Sequence, residues 1–332
     1  MIPDPWSTST QFGFLDTETG AFTADPNAPG GTLKPGGPSY LSTVGGWWSN
    51  VDAINPNNMI AIAPDGSSYA YVAHMSGSFG AGSVHIATPT SDRTLTPPGE
   101  WDILVGWSDE GIVVQRVSKT VDDTITGTWV VDPTTGQERE ITLPPLGPDS
   151  PGNLTTAGNA VWEVIGGGAS PADTLVRYNL QTGATTTWFA LDGYYASRGR
   201  LPAGDLGPNN AYIDVLGFDS QGDPVLSIRP GVGPNGEIVQ SDELLLVTGQ
   251  ETVTVIRAAG QPGADAPYLQ PDGTGLWFSG ALLSSQASSS QVVDHWDPST
   301  GWHAVTSLPS GVDIARVVGP CAGCPLSRVA ES

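Results

Sequence analysis

The sequence predicts an all-β chain built from one repeated unit of four short strands. Two turn signatures and the composition carry that prediction. The first signature is Pro-Asp-Gly between apolar stretches: Pro64-Asp65-Gly66 in "IAPDGSSYAYVAH" and Pro271-Asp272-Gly273 in "LQPDGTGLWFSG". Pro fixes φ, Asp bonds its own backbone and Gly accepts positive φ, so the triplet reverses the chain. The second signature is Asp/Asn-x-x-Thr-Gly, in "LDTETG" ending at Gly20, "VDPTTG" at Gly136, "NLQTG" at Gly183 and "WDPSTG" at Gly301. Each follows one apolar strand and precedes another, the pattern of a hairpin whose Gly takes positive φ. Among the 332 residues are 43 Gly and 29 Pro, only 14% are charged, and no stretch sustains a helical period, which favours short strands joined by turns.

Weaker relics of the second turn are "TPTSD" ending at Asp92 and "LVTGQ" with Gly249. Five units then read in order. The first is "MIAIAPDG / SSYAYVAHM / SVHIATPTSD / RTLTPP" and the second "WDILVGWSDEG / IVVQRVS / TWVVDPTTG / QEREITLP". "LTTAGNA / VWEVIGG / LVRYNLQTG / ATTTWFAL" is the third and "AYIDVLGFDSQGD / PVLSIRP / DELLLVTGQ / ETVTVIRA" the fourth. The fifth is "APYLQPDGTG / LWFSGALL / QVVDHWDPSTG / WHAVTSLP".

The turns recur at intervals of 72, 44, 47, 66 and 52 residues. The 31 residues after Gly301 and the 20 up to Gly20 together make one more unit of that size. The sixth unit is therefore composite: "TQFGFLDTETG / AFTADP" supplies its outer strands, and "VDIARVVG" with "PLSRVAES" its inner ones. Radial repetition of four-stranded sheets, closed by joining both chain ends in one blade, is a single six-bladed β-propeller over residues 1–332, with 24–58 as a long inter-blade loop insertion. Closure removes exposed sheet edges. A seventh blade would need further strands within 23–58.

The turn pattern resembles the bacterial TolB-like, PDG-repeat six-bladed propellers. "APDGSSYAYV" and "QPDGTGLWFSG" are similar to their strand–turn–strand signature, and "VVDPTTG", "RYNLQTG" and "HWDPSTG" to the following hairpin. The resemblance covers nearly the whole chain as architecture. It implies a fold and leaves function open, because such propellers serve as binding modules, scaffolds and enzymes.

The formal net charge of −22 repels nucleic acid and anionic membrane surfaces, so neither is an expected partner. No apolar run approaches the about 20 residues of a membrane helix. "MIPDPWSTST" has no basic end and no apolar core of a signal peptide. The chain is then either cytosolic or the mature part of an exported protein; Lys occurs only as Lys34 and Lys119 in a Ser/Thr/Gly/Pro-rich chain, which favours the second, an extracytoplasmic protein, secreted or on the cell surface, whose export segment is absent from this sequence. Cys321 and Cys324 form "CAGC". Zinc would need two more ligands nearby, a redox site a βαβ unit, and a haem site a His where Pro325 stands, so a local disulfide is the first reading.

The repeated turns fall on one face of such a ring. The other junctions, 24–58, 75–82, 117–127, 166–173, 191–210, 229–242 and 284–290, are longer and differ between blades. Elaborated loops on a rigid scaffold are where binding usually sits, so the second face is the candidate working face. Trp47 and Trp48 lie in "TVGGWWSNVDAINPNN", adjacent aromatics suited to stacking a sugar or a protein partner. "LDGYYASRGRLPAGDLGPNN" brings Tyr194, Tyr195, Arg198 and Arg200 close together, an anion clamp with stacking rings. Asp122 and Asp123 would join loop carbonyls in a weak Ca²⁺ site; no other cofactor is expected. His74 ends a second strand near this face, whereas His85, His295 and His303 sit on third or outer strands and read as structural. No G-x-S-x-G, HExxH, EF-hand or Asp-box motif occurs. The sequence therefore reads as a monomeric, non-catalytic binding or scaffold propeller recognising a protein or glycan partner. The alternative is a lyase or hydrolase acting on a glycan or small polar substrate, with His74, Asp122, Asp123, Arg198, Arg200 and Asp205 converging at the channel mouth.

Overall fold

The computed structural model describes residues 13–15, 21–24, 39–41, 46–48, 60–65, 67–76, 81–88, 91–96, 101–118, 124–143, 154–166, 173–199, 212–229, 243–250, 252–259, 261, 263–271, 275–282 and 291–307. Two short hairpins come first: β1 (Gly13–Leu15) with β2 (Phe22–Ala24), and β3 (Ser39–Leu41) with β4 (Gly46–Trp48). Five antiparallel four-stranded blades follow. Blade 1 is β5 (Ile60–Ile62), β6 (Tyr69–Ser76), β7 (Ala81–Thr88) and β8 (Ser91–Thr94). Blade 2 is β9 (Asp102–Ser108), β10 (Gly111–Val117), β11 (Ile125–Val131) and β12 (Glu138–Ile141). Blade 3 is β13 (Leu154–Ala157), β14 (Ala160–Ile165), β15 (Thr174–Asn179) and β16 (Thr185–Ala190), after which α1 (Leu191–Ser197) leads away. Blade 4 is β17 (Tyr212–Phe218), β18 (Pro224–Arg229), β19 (Glu243–Gly249) and β20 (Thr252–Arg257). Blade 5 is β21 (Ala264–Pro271), β22 (Leu276–Leu282), β23 (Gln291–Asp297) and β24 (Gly301–Ser307).

Each blade pairs its strands in chain order, and a single Gly82–Asp102 pairing joins blades 1 and 2. The first strands lie against one another, β9 beside β5 and β13, and β17 beside β21, so they form the inner layer. The fold is a β-propeller. The hairpin expected to give the outer pair of the composite blade forms a two-stranded sheet, with Leu15 opposite Phe22. Its expected inner strands, within 311–332, lie outside the described residues.

Two expectations change. The 24–58 segment is not loop throughout, since it contains the β3–β4 hairpin. The helix α1 was not expected either. Leu191, Tyr194 and Tyr195 lie at i, i+3 and i+4 and bury one side of a helix too short to show a sustained period.

Burial explains the strand sequences. Second strands are covered by a neighbouring blade on both sides, so β10 ("GIVVQRV") and β18 ("PVLSIR") read as nearly continuous apolar runs. Fourth strands are wet on one side, and β16 and β20 alternate exposed Thr with partly covered residues. The cores lie between blades. Ala70, Val72, Leu104, Ile112 and Val114 fill the seam of blades 1 and 2. Val105, Val113, Val130, Leu154 and Val161 fill the next seam. Trp162, Leu175, Phe189, Leu226, Ile228 and Leu245 pack between blades 3 and 4 with the buried side of α1. Val225, Leu244, Leu276, Phe278 and Trp296 fill the seam of blades 4 and 5. Each such Val, Leu, Ile or Phe side chain removed from water contributes about 1.5–3 kcal/mol.

Candidate partner-binding site

The two rims of the ring are built differently. On one rim the junctions are short and hydrogen-bonded to themselves. Asp132 Oδ1 accepts from the backbone N–H groups of Thr134 and Thr135 at 2.7 Å each, and Gly136 follows at φ 71°. The same turn recurs at Asn179, whose Oδ1 accepts from Gln181 and Thr182 at 3.0 and 2.9 Å before Gly183 at φ 71°. It recurs again at Asp297, with Ser299 and Thr300 as donors and Gly301 at φ 82°. Only a residue without Cβ takes that φ cheaply, which explains the Thr-Gly signature. Accepting these bonds holds the Asp132 and Asp297 carboxyls below the usual carboxylate range. Asp65 closes the first turn of blade 1 on Ser67, and Asp219 closes its counterpart in blade 4 on Gln221 and Asp223. Neighbouring blades are laced here as well, by Asp109 N–H to the Gly158 carbonyl at 2.8 Å and by Gln181 Nε2 to Glu110 at 2.7 Å.

On the other rim, strand ends are tied by side chains. Arg116, near the end of β10, donates to Asp102 at the start of β9 at 2.9 Å, and it also reaches along the blade to Glu138, at the turn-rim end of β12, at 2.9 and 3.1 Å. Its guanidinium lies 4.6 Å from the Trp129 ring centre, and that ring packs over the space a side chain at Gly127 would fill. Burial pushes the Asp102 carboxyl up, and the contacts with Arg116 only partly offset this. In blade 4, Arg229 and Asp214 pair at 2.9 Å.

The helix α1 occupies the connection from blade 3 to blade 4 on this rim. Tyr194 and Tyr195 are not loop residues open to a ligand; both are buried in the seam core. Tyr194 donates its hydroxyl to Glu243 Oε1 at 2.8 Å, anchoring the helix to the first residue of β19. Arg198, the next residue after the helix, lays its guanidinium 3.9 Å from the centre of the Tyr194 ring, a cation–π contact. Arg198 is exposed and has no carboxylate partner among the described residues. A pocket of about 170 Å³ opens beside it, lined by Phe189, Ala190, Gly193, Tyr194, Ser197, Arg198 and Val253. It offers an apolar wall, a hydroxyl and one uncommitted cation.

The other predicted residues are not brought to this pocket by anything described. Trp47 and Trp48 lie on strand β4, opposite Tyr40 and Ser39, rather than in a loop; their side chains are outside the described residues. His74 lies on β6, its side chain also outside them. Arg200, Asp122, Asp123, Asp205, Cys321 and Cys324 lie outside the described residues altogether. Among the described residues no group of His, Cys, Asp and Glu is arranged to hold a metal ion. The outer histidines have structural partners. His85 contacts Asp92 at 3.1 Å, and His295 packs against Trp277 with ring centres 4.4 Å apart.

No family model and no curated sequence matches the chain. Among solved structures, TolB from Acinetobacter baumannii is similar over 80% of this chain and 57% of its own, at 12% identity and a TM-score of 0.46. An acylaminoacyl peptidase from Pyrococcus horikoshii is similar over 78% of this chain and 39% of its own, at 12% identity and a TM-score of 0.45. The Aleuria aurantia lectin AAL is similar over 77% of this chain and 97% of its own, at 10% identity and a TM-score of 0.26. The chain thus spans well under two thirds of the first two proteins. Nothing of their activities is carried over at these similarities.

One feature escaped sequence reasoning. Glu163 and Gln115 are the long buried polar side chains described in second strands, where blades 4 and 5 carry only the small Ser227 and Ser279. Aligning "IVVQRV", "VWEVIG" and "VLSIRP" strand against strand would have exposed them.

Proposed function

We propose that this propeller is a non-catalytic binding or scaffold module working outside the cytoplasm as a monomer, TolB-like in its turn repeats. It recognises a protein or glycan partner through its long-loop rim, with an anionic group of the partner seated beside α1. The observation that supports this reading is Arg198: exposed, over the Tyr194 ring, at the mouth of a pocket, and without a carboxylate partner among the described residues of a chain whose net charge is −22. A guanidinium held over a ring is pre-oriented, so it loses little freedom when it takes a carboxylate. The Ser197 hydroxyl already donates to the Tyr194 carbonyl at 2.7 Å, which leaves its oxygen as an acceptor at the pocket edge. The extracytoplasmic assignment rests on the Lys-poor, Ser/Thr/Gly/Pro-rich composition; among the described residues no helix is long and apolar enough to cross a membrane.

The test is a chemical-shift titration with two anionic probes, an acetylated Glu-rich peptide and glucuronate, each beside its neutral counterpart. The reading expects shifts at Gly193, Ser197, Arg198 and Val253 with an anionic probe, absent with its counterpart and absent in Arg198→Ala. Shifts confined to the turns at Asp132, Asn179 and Asp297 would overturn it.

A further inference from the structure

The seam between blades 2 and 3 contains a pair of polar groups that the binding reading does not use. Val113 on β10 and Val161 on β14 belong to the same apolar cluster between these blades. Side chains two residues apart on a strand share a face, so Gln115 and Glu163 present to that seam from opposite sides. Both are buried, at 1% and 7% exposure. Gln115 Nε2, a donor, and Glu163 Oε1, an acceptor, have no hydrogen-bond partner. At the corresponding positions of other blades, Val114 and Ile228 match Glu163, whereas Gln115 is matched by Val72 and Val164 in blades 1 and 3 and by the small buried Ser227 and Ser279 in blades 4 and 5. A buried polar group without a partner costs about 1–3 kcal/mol, so two complementary ones facing a single seam call for a joint explanation.

We propose that Glu163 and Gln115 form a proton-controlled joint between blades 2 and 3. A protonated carboxyl and a primary carboxamide are complementary in both directions: the acid O–H donates to the amide oxygen, and the amide N–H donates to the acid carbonyl. Directly or through one water, that pair satisfies both groups without placing a charge in the seam. Loss of the proton removes one bond and leaves a carboxylate among Val105, Val113, Val130 and Leu154, which opens the seam.

The surroundings favour the neutral form. The backbone partners of Glu163 are Leu154 on β13 and Val176 on β15, and those of Gln115 are Ile103 on β9 and Thr128 on β11. Among the described residues, the charged or titratable groups around the seam include Arg139 on the outer strand β12, Tyr178 on β15, Asp109 and Glu110 at the turn rim and Asp173 at the loop rim. Arg139 is exposed, Glu110 accepts from Gln181, and Asp173 accepts from Thr174 at 2.8 Å. Burial raises the Glu163 carboxyl to about 7. Both residues stand two positions from the loop-rim ends of their strands, Val117 and Ile165, so the joint lies one layer beneath the proposed binding rim.

The test needs no partner. The side-chain carboxyl of Glu163 is titrated by ¹³C NMR in the wild-type protein, and amide exchange of 112–117 and 160–165 is compared at pH 5.5 and 8 after correction for intrinsic rates. The proposal expects a titration near neutrality and about tenfold faster exchange of both strands at pH 8. It expects Glu163→Gln to keep the low-pH protection at both values. A Glu163 carboxyl titrating in the ordinary range overturns the proposal, whether or not the variant folds. So does a Glu163→Gln protein whose exchange still follows pH as the wild type does.

Discussion

The turn rim and the loop rim solve the same problem, holding strand ends together, by different means. On the turn rim the backbone does it. Asp132, Asn179 and Asp297 each cap a turn, and Gly136, Gly183 and Gly301 take the positive φ. One short motif is copied from blade to blade and carries no information of its own. On the loop rim, where connections lengthen, side chains take over: Arg116 with Asp102, Arg229 with Asp214, Tyr194 with Glu243. These ties differ from blade to blade. Among the described residues of this rim, Arg198 stands outside those ties, with its guanidinium over the Tyr194 ring. The difference shows where a propeller can diversify: the rim freed from repeated turns is the rim that can be shaped for a partner.

The contrast breaks most visibly at Arg116. Arg116→Ala leaves Asp102, 1% exposed, without its counter-charge. The expected loss is about 3–5 kcal/mol in chemical denaturation. Arg116→Met with Asp102→Leu, which removes both charges, should recover most of it. If the single variant is as stable as the wild type, the loop rim is not held by its ion pairs.

A smaller effect separates the rims by pH. The raised pKa of Glu163 means that the folded state binds a proton the unfolded state releases between pH 4.5 and about 7. Stability contributed by this group is therefore full below about 4.5, falls as pH rises to about 7 and is flat above, by an amount on the order of 2 kcal/mol. Glu163→Gln should remove that slope in a melting series. The turn carboxylates act in the opposite sense. Asp132 and Asp297 are held below their usual 3.8, so their contribution is present above that value and lost as pH falls through their lower folded-state range. Asp132→Asn should blunt the acid limb and leave the neutral limb unchanged.

The smallest effect is that of a single turn. Asn179→Ala loses two backbone hydrogen bonds at an exposed hairpin and should lower stability by about 1 kcal/mol, read from the denaturation midpoint.

The sequence made the blades legible because their turns are local. Asp-x-x-Thr-Gly needs only five consecutive residues to close, and the first turn of blade 4, "DSQGD", closes as locally, around Asp219 with Gly222 at φ 83°. Strand order followed from the same punctuation. The site was less legible because it depends on contacts across blades. Tyr194 and Arg198 stood out by composition, but whether a Tyr faces solvent or a seam is decided by Glu243, 49 residues away. "LDGYYAS" contains a helical spacing of only two turns, too short to separate from loop by pattern. Glu163 looked like any strand Glu until the neighbouring blade covered it.

The central claim is that the partner is read by the loop rim and not by the turns. It is tested most directly by measuring one affinity in three proteins: wild type, Arg198→Ala and Asn179→Ala, by calorimetry with the anionic probe that the wild type binds. The account predicts that Arg198→Ala weakens binding by about 1–3 kcal/mol, roughly tenfold to a hundredfold in Kd, with an unchanged melting curve. It predicts that Asn179→Ala melts earlier and binds as tightly as the wild type. Lost affinity in Asn179→Ala with full affinity in Arg198→Ala would contradict it.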